Sequence, residues 1–280
     1  MLLFLTLLNE IGHNPSPCKN MFDDLCLGAK FIRSYEFQTM PNQFTILDVR
    51  DRIRQAKSVT VLTGAGISAD SGVPTFRGPD GLWKNFRPEE LASPDAFDRD
   101  PKLVWEWYNW RRELLATKIP NPAHEALVKL EALIPNFWVI TQNVDGLHAA
   151  AGTQHLSEIH GNIWKVRCIQ CQQVTENHAL PVSFPPSCTA CGGLLRPHIV
   201  WFGESLATDD LEQSYAALQR CDILLIIGTS GLVYPAASFA PVAKDHGAFV
   251  VELNLETTPH SSVVDVSFQG RAKELVPLLL

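Results

Sequence analysis

The sequence is poor in positive charge: its 280 residues include 23 Lys and Arg against 30 Asp and Glu, a formal net charge of −7. Proteins whose main task is to bind a nucleic-acid backbone carry clustered Lys and Arg, which displace counterions from the phosphates. The acidic balance therefore argues against direct nucleic-acid binding, and any acidic ligand must be bound by local groups.

Long apolar runs are missing too. The apolar run over residues 2–8 stops at Asn9, whereas about 20 apolar residues are needed to span a bilayer. Basic residues do not precede this run and no clear cleavage pattern of small residues follows it, so a signal peptide is a weak interpretation. We expect no membrane anchor, and we interpret residues 1–45 as a loosely ordered extension.

Repeats and low-complexity tracts are absent, which leaves an ordinary globular composition with 46% hydrophobic and 19% charged residues. Disordered and collagen-like chains are thereby excluded. The length suits one large α/β domain or two unequal ones, and length alone does not decide between them.

The seven cysteines are an odd number in a chain too large to depend on disulfides, which favours a reducing compartment. We expect a cytoplasmic location, or a mitochondrial one in a eukaryote. Cys18, Cys26 and Cys221 show no spacing that implies pairing. Cys221 precedes an apolar run, where we expect it to pack as a small hydrophobic residue.

The other four cysteines form two Cys-x-x-Cys pairs, Cys168 with Cys171 and Cys188 with Cys191, separated by 16 residues. Four thiolates presented by two tight turns complete a tetrahedral shell around Zn²⁺ and leave no position for water. The spacing predicts one structural zinc ion. Unpaired cysteines and redox use are the alternatives.

Short β-rich apolar segments alternate with helical ones, a pattern typical of parallel strands buried on both faces. It predicts an α/β fold with a doubly wound, Rossmann-like parallel sheet, in which ligands bind at the carboxyl ends of the strands. The predicted strands are 58–63, 137–141, 222–227 and 249–253, and the predicted helices are 122–133 and 209–219.

Two segments interrupt this alternation, and we expect them to form a second, smaller module. One is rich in Trp and Arg, and the other holds the cysteine pairs. The predicted domain covers 46–280, with a large lobe (46–78, 120–160 and 198–280) and a small lobe that combines a helical insertion (79–119) and a zinc module (161–197).

A glycine-containing turn, from Gly64 to Ser68, follows the first predicted strand. Backbone amides and a helix start at this point can receive a diphosphate, although a tight turn without ligand looks similar. Gly72 falls too late for the dehydrogenase fingerprint, and no acidic residue ends a second strand about 20 positions on. Hydride transfer is therefore disfavoured.

Polar residues follow the second strand. Asn143 and Asp145 can hydrogen-bond ribose hydroxyls or an amide, although residues that merely cap a loop look the same. His160 precedes the zinc module, so we expect its imidazole where the two lobes meet. With an ordinary pKa of about 6.5 it can take a proton from a sugar hydroxyl, although a lone His is more often structural.

These motifs occur in one order: the turn at 64–68, Gly-Val-Pro-Thr-Phe-Arg-Gly at 72–78, Gln-Asn-Val-Asp at 142–145, His160-Gly161 and the four cysteines. In this the chain resembles the sirtuin family from about residue 49 to 280. The resemblance implies NAD-dependent removal of an acyl group from protein lysine, yielding nicotinamide, O-acyl-ADP-ribose and free lysine. NAD is then a co-substrate and the zinc ion structural.

The resemblance also implies roles. His160 acts as general base on the ribose hydroxyls, and Asn143 and Asp145 hold the ribose and the carboxamide. The backbone of Val200, Trp201, Phe202 and Gly203 pairs with the substrate peptide. The implied NAD-binding residues are Gly64, Ala65, Gly66, Ile67, Ser68, Phe76, Arg77, Trp83, Gln142, Asn143, Val144, Asp145, Gly228, Thr229, Ser230, Asn254, Leu255, Glu256 and Ala272.

Tyr108 and Arg111 bear on substrate choice. Three positions apart on a helix, they share a face, so a phenol and a guanidinium can reach one carboxylate. The pair is similar to the one with which class III sirtuins accept succinyl- and malonyl-lysine. The alternative is an aromatic packing stripe of Trp107 and Trp110 with Arg111 in solvent. Arg112 is turned away by the helical period.

Three functions remain open from the sequence. The first is a deacylase that acts on acylated lysine side chains of other proteins, favours acidic acyl groups and retains deacetylation. The second is a sirtuin-fold enzyme that transfers ADP-ribose to protein, and the third is a zinc-binding module that senses NAD. Only the first uses every motif.

Overall fold

A computed structural model describes residues 44–75 and 87–280. Phe76, Arg77 and Trp83, which the sequence assigns to NAD binding, lie outside the described residues, as does the predicted extension up to residue 43. The helices in the described part of the chain all lack the length and apolar character that membrane crossing requires.

The strands form two sheets. A six-stranded parallel sheet has the order β3-β2-β1-β7-β8-β9, and a three-stranded antiparallel sheet has the order β5-β4-β6. Strand bounds are β1 Ser58–Thr63, β2 Asn136–Thr141, β3 Leu156–Glu158, β4 Gly161–Cys168, β5 Val174–Glu176, β6 Leu195–Ile199, β7 Ile223–Ile227, β8 Phe249–Asn254 and β9 Val266–Gln269.

The large sheet confirms the doubly wound Rossmann-like fold predicted from the sequence. With the small sheet set aside, its strands follow the order 3-2-1-4-5-6, in which the direction of winding reverses between the first and fourth strands. Here those strands are β1 and β7, which pair directly from Val59–Ile223 to Thr63–Ile227. A ligand crevice is expected beyond their carboxyl ends.

Helix ends follow local sequence signals. Asn121 accepts from the Ala123 amide at the start of α6 with Pro122 in its first turn, and Thr45 and Asp48 form a capping box on α1. Helix bounds are α1 Ile46–Gln55, α2 Ala65–Ala69, α3 Pro88–Leu91, α4 Pro94–Arg99, α5 Pro101–Ala116, α6 Pro122–Leu133, α7 Leu147–Ala151, α8 Thr208–Leu218, α9 Phe239–Asp245 and α10 Ala272–Leu275.

Apolar side chains cover both faces of the large sheet. Alternation along β1 places Val59 and Val61 in one buried cluster with α1 and α6, and Leu62 in another with α9. Burial on both faces explains why the strands read as continuous apolar runs. Cys221 is 5% exposed and packs in the second cluster, which confirms its expected role as a small hydrophobic residue.

Two glycines bring the turn after β1 against the turn after β7. The Gly66 amide donates to the Gly228 carbonyl at 2.8 Å, and a Cβ atom on Gly66 would lie 2.6 Å from the Gly228 Cα atom. Gly228 itself has a φ of +60°, in the region that glycine favours. Gly66, in the turn predicted to receive a diphosphate, and Gly228 therefore also permit two backbones to touch.

Candidate active site

Polar side chains gather at the carboxyl ends of β1, β2 and β7. The Nδ2 amine of Asn143 donates to the Gly64 carbonyl at 3.0 Å and to Ser68 Oγ at 3.2 Å. The Gln142 side chain donates to Thr229 Oγ1 at 2.8 Å. Because both Asn143 bonds use the amine, its Oδ1 atom remains an acceptor suited to a sugar hydroxyl.

Asp145 lies in the same loop and is only 7% exposed. Burial raises the pKa of its carboxyl above the ordinary value, while hydrogen bonds from Leu147 and Ser68 and the charge of Arg111 lower it. Its backbone carbonyl accepts from Trp164 Nε1 at 2.9 Å. Asp145 is therefore held at its carboxyl by Leu147 and at its backbone by Trp164, a contact that no sequence signal indicates.

His160 lies between β3 and β4, at the entry to the small sheet. Its Nδ1 atom is 2.9 Å from the Gln142 carbonyl oxygen, which only accepts, so Nδ1 carries the proton and Nε2 is left as the basic nitrogen. Burial lowers the pKa of the imidazole below its ordinary value, and the bond to Gln142 opposes that shift. A neutral base at neutral pH follows.

Other residues predicted to bind NAD differ in which atoms they can offer to a ligand. The Asn254 side chain donates to the Thr229 carbonyl at 2.8 Å and so ties the ends of β7 and β8 together. Leu255 and Glu256 are exposed beside them. Ile67 and Ala272, in contrast, belong to the apolar core, so a ligand can meet mainly their backbone atoms.

A cavity beside Asn143 and Asp145 reaches α5, the helix that carries Tyr108 and Arg111, the pair predicted to recognise the acyl group. Arg111 is 7% exposed, so the alternative in which its side chain is solvated is wrong. The cavity is lined by Ala65, Val73, Pro74, Trp110, Arg111, Leu114, Leu115, Asn143, Val144 and Asp145.

Tyr108, the other member of the pair, is not among the residues that line the cavity. It is 1% exposed, and its hydroxyl accepts from Trp201 Nε1 at 2.9 Å. Burial raises the pKa of Tyr108 and lowers that of Arg111, and a hydrogen bond between the two side chains opposes the shift in Arg111. The shared helix face was predicted from spacing, but the partner Trp201 was not.

The segment predicted to pair with a peptide already uses several of its amides. Val200 donates to the His160 carbonyl at 2.9 Å, and Phe202 donates to the Ala92 carbonyl at 3.0 Å. The Trp201 amide donates to Glu204 Oε2 at 2.8 Å. Peptide pairing along these three residues would therefore use their carbonyl oxygens.

The four predicted zinc ligands come together. Their sulfur atoms all lie within 4.8 Å of one another, with Cys168 and Cys191 3.5 Å apart and Cys171 and Cys188 3.7 Å apart. A tetrahedron with Zn–S bonds of about 2.3 Å has sulfur atoms roughly 3.8 Å apart, so the cluster fits one Zn²⁺ ion. All four cysteines are free of disulfides.

Local backbone supports this cluster. The Gln170 amide points to Cys168 Sγ at 3.4 Å, and a Cβ atom on Gly193 would lie 2.9 Å from the same sulfur. The glycine after the second pair therefore leaves room for a thiolate. A closed set of four thiolates has a structural role.

Arg112 ties the zinc module to α5. It is 1% exposed, and its guanidinium donates to the Ile163 carbonyl at 2.8 Å and to the Ala179 carbonyl at 3.2 Å. Arg112 also stacks on Trp164, with its guanidinium carbon 5.1 Å from the ring centre. The prediction that Arg112 faces away from Arg111 is confirmed, but no sequence signal indicated its contacts with the zinc module.

Loss of one thiolate should abolish zinc binding. We expect metal analysis to find about one zinc ion per wild-type chain and none in Cys171→Ser, whose thermal midpoint should fall by several degrees because the metal stabilises the small module. Cys221→Ser is the matched control, since that cysteine lies in a separate core cluster. Full zinc content in Cys171→Ser would exclude a four-thiolate site.

Comparisons with known proteins agree with this geometry. The family model described as the Sir2 family matches residues 64–235. An NAD-dependent protein deacylase of Aquifex aeolicus is 54% identical over 216 residues, which cover 77% of this chain and 90% of that protein. The mitochondrial NAD-dependent protein deacylase sirtuin-5 of Danio rerio is 43% identical over 255 residues, covering 81% of this chain and 84% of that protein.

Solved structures give the same result. One is a Sir2 variant described with a deacetylated peptide and 3′-O-acetyl ADP-ribose. It has a TM-score of 0.73 and 31% identity, covering 84% of this chain and 97% of that one. The family model spans more than half of the chain, and a relative above half identity covers most of it. The chain therefore belongs to the Sir2 family, the sirtuins.

Proposed function

We propose that this protein removes acyl groups from lysine side chains of other proteins, with NAD as co-substrate. The observation that carries the proposal is the neutral imidazole of His160, oriented by the Gln142 carbonyl at 2.9 Å beside Asn143 and Asp145. A relative named NAD-dependent protein deacylase, more than half identical to this chain, supports the proposal.

The residues divide the work as follows. NAD, when bound, supplies the ribose carbon that receives the acyl oxygen and the nicotinamide that leaves. Asn143 Oδ1 accepts a hydrogen bond from a ribose hydroxyl. Asp145, which is held by Trp164 and by the Leu147 amide, orients the carboxamide of nicotinamide. His160 Nε2 takes a proton from a ribose hydroxyl, which activates that oxygen for attack on the acyl carbon.

We propose further that acidic acyl groups, succinyl and malonyl, are preferred while deacetylation is retained. Arg111 is a buried cation that lines the cavity beside Asn143 and Asp145. The hydrogen-bonded Tyr108 fixes the guanidinium on one side. A substrate carboxylate that enters this cavity can form a charge-assisted hydrogen bond with Arg111, which makes Arg111 the selective group.

The electrostatic contact between Asp145 and Arg111 supports the proposal that deacetylation is retained. Its carboxyl interacts electrostatically with Arg111 in the absence of an acidic acyl group. The charge of Arg111 is therefore partly balanced within the protein, and a neutral acyl group can occupy the cavity without leaving that charge unopposed.

We also propose a reducing compartment, the cytoplasm or, in a eukaryote, the mitochondrion, supported by the odd number of seven cysteines. We propose no direct contact with nucleic acid, supported by the net charge of −7. The two-lobe division at the boundaries given above remains a prediction.

Turnover by wild-type and His160→Ala protein tests the function. We expect acyl-lysine peptides with NAD to release nicotinamide and O-acyl-ADP-ribose from the wild type, and acyl removal to fall by at least about a hundredfold in the variant because the base is gone. His155→Ala is the control, since His155 is exposed and pairs with Glu131. ADP-ribosyl adducts formed without acyl-lysine would favour the transferase alternative, and absence of NAD turnover would favour the sensor.

The acyl preference has its own test. Arg111→Met and Tyr108→Phe should lower kcat/KM for succinyl-lysine peptide by about 10- to 100-fold, the cost of losing a hydrogen bond to a charged group, and should lower that for acetyl-lysine peptide much less. Lys102→Met removes an exposed cation from the same helix and should change neither. Equal losses on both peptides would mean that the pair only packs.

The pH profile should report His160. Its folded pKa is lowered, so the basic form is complete above the ordinary value of about 6.5 and is lost only as pH falls through the lower folded value. We expect kcat/KM to stay level from pH 8 to about 6.5 and to decline below that. An acid limb centred above pH 7 would contradict the assignment of a buried, neutral base.

A further inference from the structure

One peptide unit holds the proposed base in position. The carbonyl oxygen of Gln142 accepts from His160 Nδ1 at 2.9 Å, and the N–H of the next residue, Asn143, donates to Thr141 Oγ1 at 3.1 Å. The atoms of a peptide unit lie in one plane. Whatever fixes the N–H of Asn143 therefore also fixes the carbonyl that orients the imidazole.

Further hydrogen bonds continue from Thr141 into the core. Thr63 and Thr141 are partners in the register of β1 and β2, and the Thr63 hydroxyl donates to Thr141 Oγ1 at 2.8 Å. His148 Nε2 lies 2.9 Å from Thr63 Oγ1. Since Thr63 gives its only proton to Thr141, it accepts from His148, which places the His148 proton on Nε2.

These three side chains are inaccessible to solvent, with exposures of 0% for Thr63 and 2% for both Thr141 and His148. Burial lowers the pKa of His148 to about 3, so it is a neutral donor at any working pH. Thr141 Oγ1 accepts from both Thr63 and Asn143, so Thr63 and His148 act by fixing the position of this oxygen rather than by polarising it.

A second buried histidine lies against the first. His124 is 0% exposed, its ring centre is 4.9 Å from that of His148, and its Nδ1 atom accepts from the Asn121 amide at 3.3 Å. Its proton is therefore on Nε2. His124 Nε2 is thus a donor and His148 Nδ1 an acceptor. Neither nitrogen has a hydrogen-bond partner within the described residues.

Taken together, these contacts let us infer that Thr141, Thr63 and His148 are positioning residues for the proton transfer by His160, acting through the Gln142–Asn143 peptide unit. The inference rests on the proposed function for its effect on catalysis. The three side chains lie behind the site rather than in the cavity, and they touch the reaction only through that peptide.

The physical effect has a definite direction. The bond to the Gln142 carbonyl favours the protonated imidazole and so raises the pKa of His160. When the Asn143 N–H loses its acceptor, the peptide unit is less restrained and less polarised, and its carbonyl becomes a weaker acceptor. The pKa of His160 should then fall, and a weaker, less ordered base should slow proton transfer.

The test compares hydroxyl removal at matched buried threonines. Thr141→Val and Thr63→Val each keep the side-chain shape and remove one hydroxyl, while Thr141→Ser restores it. Thr60→Val is the control, because Thr60 is also buried in β1 but bonds to the Ala217 carbonyl at 3.2 Å, away from the site. The readouts are kcat/KM against pH with an acyl-lysine peptide and the His160 imidazole pKa by NMR titration of the protein alone.

We expect Thr141→Val to lower kcat/KM about three- to tenfold, the effect of one hydrogen bond, and to move both the acid limb and the NMR pKa of His160 to lower pH. Thr63→Val should show the same direction with a smaller effect, and Thr141→Ser and Thr60→Val should match the wild type. Thr63→Val serves alone if Thr141→Val does not fold.

The inference is overturned if His160 titrates alike in both valine variants and the wild type, or if Thr141→Ser is impaired as much as Thr141→Val. A merely structural role lowers stability without moving the titration. Failure of the proposed function is a separate result: the wild type would then release no nicotinamide, while the NMR titration would still decide whether these residues position His160.

Discussion

The site depends on the contact between two backbone turns at the middle of the large sheet. Gly66 and Gly228 let the turn after β1 and the turn after β7 approach to hydrogen-bond distance, 2.8 Å, with no side chain between them. Around this contact, Asn143 is fixed by the Gly64 carbonyl and Thr229 by the Gln142 side chain. The polar groups that follow β1, β2 and β7 are thus held in fixed positions relative to one another.

The small sheet completes this arrangement from the other side. Trp164 on β4 bonds to the Asp145 carbonyl, and Arg112 joins the same strand to α5. The strand ends at Cys168, the first of the four clustered thiols. A metal ion that takes no part in the chemistry therefore still contributes to the position of the Asp145 backbone in the site, because it orders the sheet that carries Trp164.

The sequence alone predicted those features that depend on residues close together in the chain. The buried strands, the α6 helix from Pro122 to Leu133 and the cysteine cluster follow from periodicity and spacing, which a single segment carries within itself. Thr63, Thr141 and His148 were not identified, because their meeting depends on the register of two strands and the position of α7. Tyr108 was placed on the correct helix face, but its partner Trp201 lies 93 residues away.

If the substrate peptide pairs with Val200, Trp201 and Phe202, the hydrogen bonds of these residues limit which peptide sequences can bind. Their amide hydrogens are bonded within the molecule, so these three residues offer an approaching strand oxygen atoms rather than N–H groups. A partner must bring the hydrogens itself. Proline has no backbone N–H, so a peptide with proline opposite these oxygens should bind poorly, whichever acyl group the neighbouring lysine carries.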